Sequence, residues 1–257
     1  MNIPRRGPKK RADQLLVELG LVETRSRAQA LVLAGEVFCG EVRVEKAGQQ
    51  LREDAPLRVR EQPKYVSRGG LKLEGALDDS GCNPQGLRVA DVGASTGGFT
   101  DCVLSRGAHQ VYAIDVGHGQ LAEKLRQDER VVAMERTNAR NLTAANVHGG
   151  VDLVVVDASF INLDKLLEAI FLMTKPGGHL LALIKPQFEV GREEATKGGG
   201  VIRDPQVRGD AINKVLAQVK NRGFNVISDH ECKLAGPKGN VEHFVYAQRP
   251  TLKLPPL

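Results

Sequence analysis

From Leu87 to Ala247, short apolar runs alternate with stretches of helical spacing, and this alternation constrains the fold more than any other feature. Leu87–Val92, Val111–Ile114, Val131–Met134, Val151–Val156 and His179–Ile184 predict strands. Phe99–Arg106, Gly119–Gln127 and Leu163–Thr174 lie between them and predict helices. The strands are rich in Val and barely alternate, as strands buried on both faces do. Strand, helix and strand in succession imply a parallel sheet covered by helices on both sides. Pro205–Arg222 predicts a further helix, and Asn225–Ile227 and Val241–Ala247 predict terminal strands able to pair antiparallel. The expectation is a Rossmann-like α/β domain over residues 63–257.

The first of these strands runs into Asp91-Val92-Gly93-Ala94-Ser95-Thr96-Gly97-Gly98-Phe99. Glycines there let the backbone turn sharply and come close to a ligand. The next strand ends in Asp115, 24 residues after Asp91. An acid at that place can accept hydrogen bonds from both hydroxyls of a nucleoside ribose. Gly93, Ser95, Gly97, Gly98, Phe99 and Asp115 are therefore candidate cofactor contacts, joined by Asn138 and Asp157. Phe99 fits the core equally well. A dinucleotide such as NAD calls for G-x-G-x-x-G, with its pyrophosphate over a helix start. The turn here is D-x-G-x-x-x-G-G-F, which resembles the S-adenosylmethionine loop of class I methyltransferases. S-adenosylmethionine is the favoured cofactor, and NAD its rival.

Residues 1–62 read as a separate, smaller α+β domain. Residues 1–64 hold thirteen Lys/Arg against nine Asp/Glu, whereas the other 193 hold 23 against 22. Nearly all of the net charge of +5 thus sits in one quarter of the chain. Arg60-Glu61-Gln62-Pro63-Lys64 reads as a linker, because its proline disfavours continuing the strand before it. Ala12–Leu19 and Arg27–Ala34 predict helices, with Ser26 capping the second and Gly35 at its stop. Glu36–Val44 predicts a hairpin and Leu57–Val59 a returning strand.

Arg11-Ala12-Asp13-x-x-Leu16, Ser26-Arg27-x-x-Ala30 and Gly35-Glu36-Val37 followed by Val42 resemble the S4 RNA-binding domain. Arg5, Arg6, Lys9, Lys10, Arg11, Arg25 and Arg27 concentrate positive charge near one helical face. Phosphates neutralised by such a face release counterions, which gives affinity without sequence reading. A basic cluster alone commonly just solvates a surface; with the ordered pattern beside it, RNA is the expected partner.

Four polar residues far apart in sequence sharpen the chemistry. Lys72 lies in Ser67-Arg68-Gly69-Gly70-Leu71-Lys72, before the first strand. Asp157 ends the fourth strand in Val154-Val155-Val156-Asp157-Ala158-Ser159-Phe160, and Lys185 the fifth in Leu183-Ile184-Lys185-Pro186-Gln187-Phe188-Glu189. Glu242 opens the last strand in Gly239-Asn240-Val241-Glu242-His243. Ligands of open parallel sheets lie beyond the carboxyl ends of the strands, so Asp157 and Lys185 should share a crevice with Gly93 and Asp115.

Lys, Asp, Lys and Glu in this order resemble the tetrad of FtsJ-like 2'-O-ribose RNA methyltransferases. With the small domain ahead of them, and with Gly198-Gly199-Gly200-Val201-Ile202-Arg203-Asp204, the chain resembles the TlyA family, called haemolysin-like in older naming. The resemblance implies methyl transfer from S-adenosylmethionine to the 2'-hydroxyl of cytidine in ribosomal RNA or ribosomal subunits. It also implies catalytic roles for Lys72, Asp157, Lys185 and Glu242. Lys185 is the candidate general base, a task that needs a neutral amine. Asp157 would orient it, and Glu242 and Lys72 would hold the ribose and a neighbouring phosphate. Residues 193–204 are a candidate lid, with a merely disordered loop as the rival reading.

No run of eighteen apolar residues exists, so no spanning helix is expected. Cys39, Cys82, Cys102 and Cys232 lack C-x-x-C spacing and read as free thiols of a cytoplasmic protein. The six histidines are scattered and no metal site is expected. No obligate protein partner is evident. Two further functions compete with the enzyme: a membrane-lytic protein, as the older family name suggests, and an RNA-binding assembly factor with a vestigial methyltransferase fold.

Overall fold

The computed structural model describes residues 8–60 and 63–251. The chain divides into two compact units, Met1–Pro63 and Lys64–Leu257.

In the first unit, β1 (Lys9–Arg11) leads into α1 (Ala12–Glu18) and α2 (Arg25–Leu33). Then follow β2 (Val37–Cys39), β3 (Val42–Arg43), β4 (Gln50–Arg52) and β5 (Leu57–Val59). All pairings are antiparallel: β1 with β4, and β2 between β3 and β5. The strands β1 and β4 escape sequence reading because they are three residues long and mostly polar. Ser26 is not the cap of α2. Thr24 is, accepting a hydrogen bond from Arg27 N at 3.2 Å, so the helix begins at Arg25. Ala12, Leu16, Ala28, Leu31, Val32, Val37 and Val44 form the core.

The second unit opens with α3 (Arg68–Ser80), β6 (Arg88–Val92), α4 (Gly98–Ser105), β7 (Gln110–Ile114), α5 (Glu123–Arg126) and β8 (Val131–Met134). It continues with β9 (Val151–Val156), α6 (Asp164–Met173), β10 (Thr174–Ile184), α7 (Pro186–Glu189) and α8 (Arg192–Lys197). It closes with α9 (Pro205–Asn221), β11 (Asn225–Glu231) and β12 (His243–Gln248). One seven-stranded sheet runs in the order β11-β12-β10-β9-β6-β7-β8. Only β12 runs against its neighbours; the other pairings are parallel. This is the Rossmann-like α/β architecture expected from the sequence.

Alternate residues of each strand face opposite cores. Leu153 and Val155 of β9 pack with Leu73 and Leu77 of α3 and with Phe99 and Val103 of α4. Val154 and Val156 pack with Leu167 and Ile170 of α6 and with Val215 and Val219 of α9. The main departures from the sequence reading have local causes. The helix expected over Gly119–Gln127 shrinks to Glu123–Arg126, Gly119 standing at φ +67°. The strand expected from His179 starts at Thr174, a register shift near Pro176 and Gly177 having broken its pattern. Two adjacent glycines hide α3 from a propensity reading. They are there for close approach: a Cβ on Gly70 would meet the Tyr65 ring at 2.4 Å.

Candidate active site

The strand order reverses between β6 and β9, and the loops leaving β6, β7, β9 and β10 gather at that point. Those leaving β6, β9 and β10 enclose a cavity of about 680 Å³, to which α3 and the segment before β12 add their walls. Lys72, Asp157, Lys185 and Glu242 all line it. Lys72 comes from the second turn of α3, whereas Asp157 and Lys185 directly follow β9 and β10. Glu242 does not open a strand, as the sequence reading had it; it ends the loop one residue before β12. Each strand of apolar residues thus finishes in a charge at the rim of the sheet.

The four groups form two lysine–carboxylate contacts. Lys72 Nζ donates to Glu242 Oε2 at 2.5 Å, with the side chains only 8% and 1% exposed. Lys185 Nζ lies 2.5 Å from Asp157 Oδ1 and donates to Ser159 Oγ at 2.7 Å. The contact with Oδ1 is off the hydrogen-bonding angle, so that oxygen has no hydrogen-bond donor among the described residues. Buried charges are tolerated where each meets its opposite.

A second recess of about 380 Å³ adjoins the first and shares Gly93, Ser95, Asp157, Ser159 and Phe160 with it. Gly93 stands at φ +85°, and a Cβ there would lie 2.9 Å from Asp157 O and 3.1 Å from Ala158 N. Asp115 and Asn138 line this recess. Asp115 accepts from Ser95 N at 2.8 Å and from Gly117 N at 2.7 Å, which leaves half of the lone-pair sites of its carboxylate for a ligand. Asn138 uses its carbonyl oxygen to cap a short turn at Arg140 N, leaving its amide nitrogen without a partner among the described residues. Gly98 and Phe99 line the larger cavity, and Phe99 is also core, stacked on Phe244 at 6.2 Å between ring centroids. Gly97 lines neither recess. Its φ of +95° starts α4, and a Cβ would strike Leu125 at 2.3 Å.

Comparison with known proteins agrees with this geometry. The family model of FtsJ-like methyltransferases matches residues 65–249, and that of the S4 domain matches residues 10–56. A Bacillus subtilis protein named as a candidate rRNA methyltransferase is 44% identical over 250 residues, 94% of this chain and 86% of the relative. The 16S/23S rRNA (cytidine-2'-O)-methyltransferase TlyA of Mycobacterium tuberculosis is 42% identical over 243 residues, 94% of this chain and 90% of the relative. The chain belongs to the TlyA family of FtsJ-like methyltransferases. A solved structure from Streptococcus thermophilus, described as a candidate hemolysin, superposes with a TM-score of 0.71 at 39% identity, covering 95% of this chain and 89% of that one.

In the S4 domain of this TlyA-family chain, the predicted cations divide by partner. Arg5 and Arg6 lie outside the described residues. Arg11 and Arg25 bind Asp13, which is fully buried and also accepts from Gln29; the guanidiniums hold its carboxyl well below the usual range. Lys10 is paired with Glu18 at 2.7 Å and Glu53 at 2.9 Å. Among the described residues, Lys9 and Arg27 have no acidic partner. The sequence reading therefore overcounted the cations free for phosphate: Arg11 and Arg25 first serve the fold.

Several residues of the methyltransferase cavity escape the sequence reading. Ser159 and Gln187 lie two residues beyond Asp157 and Lys185, and Asn240 two before Glu242. That spacing is the signal that could have found them. Asn240 is 4% exposed, donates to Gly200 O at 2.8 Å and accepts from Ile202 N at 2.9 Å, tying the triple-glycine segment to the cavity wall. Phe160 is 91% exposed at φ +63° and lies 5.1 Å from the Phe188 ring. Asp91, under the glycine turn, is fully buried and accepts from Thr100 N at 2.9 Å and Thr100 Oγ1 at 2.7 Å. Burial pushes its carboxyl up to about 7, and the nearby Asp157 charge adds to the effect. Among the described residues no cluster of His, Cys, Asp or Glu could hold a metal, and no helix is long and apolar enough to cross a membrane.

Proposed function

We propose that the chain methylates the 2'-hydroxyl of cytidine in ribosomal RNA, with S-adenosylmethionine as donor. The observation that carries this reading is the two lysine–carboxylate contacts, one of them buried, facing one cavity that adjoins a nucleoside-sized recess. The residues of the recess fit the cofactor. Asp115 keeps acceptor capacity for ribose hydroxyls, the Asn138 amide can read the adenine edge, and Gly93 lets the ligand lie on bare backbone. When bound, S-adenosylmethionine supplies an electrophilic methyl group on a sulfonium centre. The activity for which the Mycobacterium tuberculosis relative is named supports the substrate and, with it, a cytoplasmic location, and the S4 domain supports docking on RNA.

Within this scheme Lys185 Nζ accepts the proton that the 2'-hydroxyl gives up as its oxygen becomes the nucleophile. Asp157, 2.5 Å away, then faces the ammonium so formed. Lys72 and Glu242 fix the ribose from the opposite pair, Glu242 through the remaining acceptor capacity of Oε1, which Gln187 Nε2 meets only at 3.5 Å, and Lys72 through its remaining N–H groups. Proton transfer of this kind contributes typically about 10²–10⁴-fold, and holding the reactants in position contributes the rest. Deep burial of the Lys72–Glu242 pair serves that second need.

The test combines calorimetry with transfer of labelled methyl groups to ribosomal subunits. Lys185→Ala should bind S-adenosylmethionine within a few fold of wild type and transfer nothing measurable. Asp115→Ala should bind it at least about ten-fold more weakly, the loss of roughly one charge-assisted hydrogen bond. Wild-type transfer by Lys185→Ala would remove Lys185 as the base.

A further inference from the structure

We propose that Ser159 is a positioning residue for Lys185: its hydroxyl fixes the direction in which the amine meets the ribose. The proposal rests on the reading of Lys185 as the base and adds to it a group with no part in that scheme. Apart from Cε, Nζ has three tetrahedral positions. Asp157 Oδ1 approaches at 2.5 Å but off the hydrogen-bonding angle, and Asp157 O stands at 3.5 Å. The contact with Ser159 Oγ, at 2.7 Å, is the short directional hydrogen bond that Lys185 Nζ makes among the described residues. The carboxylate holds the amine close, and the hydroxyl fixes its rotation. One position is then left for the substrate, and all three residues line the same cavity.

The chemistry of serine suits this task. A second carboxylate would orient the amine equally well, but its charge would favour the protonated form that cannot act as base. A neutral hydroxyl orients without that charge. The loop that carries Ser159 is itself held. Asp157 N donates to Val92 O at 3.0 Å, and the backbone of Ala158 lies so near Gly93 that a Cβ there would meet it at 3.1 Å. On the other side, Phe160 sits in the left-handed region at φ +63°, a conformation retained only where neighbours impose it. Ser159 is thus fixed between two constrained residues.

The experiment compares Ser159→Ala, Ser159→Thr and Lys185→Ala in the full-length protein, using S-adenosylmethionine and ribosomal subunits. Ser159→Ala is expected to lower kcat by about 10–100-fold, the effect of a misplaced catalytic group. Its KM for subunits, its affinity for S-adenosylmethionine and its melting temperature should stay near wild type. Ser159→Thr restores the hydroxyl and should return kcat to within a few fold. Wild-type kcat in Ser159→Ala, with Lys185→Ala inactive, overturns the positioning role and leaves the base in place. Activity in Lys185→Ala overturns the underlying reading instead. A defect in Ser159→Ala confined to KM or to melting, or one that threonine fails to rescue, also overturns the proposal.

Discussion

The Lys72–Glu242 pair offers a prediction whose size follows from burial. Glu242 is 1% exposed and Lys72 8%, and they meet at 2.5 Å. Glu242→Ala leaves an ammonium with no opposite charge in a buried site, at a cost of about 3–5 kcal/mol. In a unit of this size each kcal/mol moves the melting temperature by about 2–4 °C, so the loss should be roughly 6–20 °C. Lys72→Ala leaves a carboxylate in the same position and should lose a similar amount. The double variant Lys72→Met, Glu242→Leu removes both charges and keeps the volume. Its stability should return to within about 1–2 kcal/mol of wild type. It should nevertheless transfer no methyl groups, which separates the fold from the chemistry. Thermal denaturation of the four proteins, with methyl transfer on each, makes the comparison. A loss below about 1 kcal/mol in Glu242→Ala, the value of an exposed pair, would refute the reasoning, as would a double variant no more stable than either single one.

Two further predictions address other parts of the molecule. Asp91 titrates near 7 in the folded chain, whereas an unfolded Asp titrates near 3.9. Its protonated form therefore contributes stability below about pH 4, and the contribution is lost as pH rises through 7. Asp91→Asn should melt as wild type does near pH 4 and be more stable at pH 8 by up to about 4 kcal/mol; equal effects at both pH values would contradict the shift. In the S4 domain, Arg27→Ala should weaken RNA binding and reduce the salt slope by about one, since its charge has no internal partner among the described residues. Arg11→Ala should instead lower the melting temperature of the first unit, because its guanidinium binds the buried Asp13; a pure loss of RNA affinity there would contradict that assignment.

The strands and the long helices were legible because each is a run of consistent character. Val151–Val156 and Leu57–Val59 stand where the sequence places them. Asp157 and Lys185 were legible because a charge directly after four or five apolar residues has few places to go except the rim of a sheet, whereas Lys72 and Glu242 were singled out by the resemblance to FtsJ-like methyltransferases. What stayed hidden depends on contacts across the chain. The first turn of helix α3 holds Gly70, which the Tyr65 ring explains, and β1 becomes a strand only by pairing with β4. The basic residues of the S4 domain looked alike in sequence, but Asp13 and Glu18 claim some and not others. Ser159 carried no signal of its own beyond its spacing from Asp157.

The most direct measurement of the central claim is the position of the methyl group itself. Ribosomal subunits and naked ribosomal RNA would be incubated with the protein and labelled S-adenosylmethionine, digested to nucleosides and separated. The account predicts label in 2'-O-methylcytidine, absent when Lys185→Ala replaces the wild-type protein. Label on a nucleobase, or no label in any RNA while S-adenosylmethionine binds normally, would contradict it.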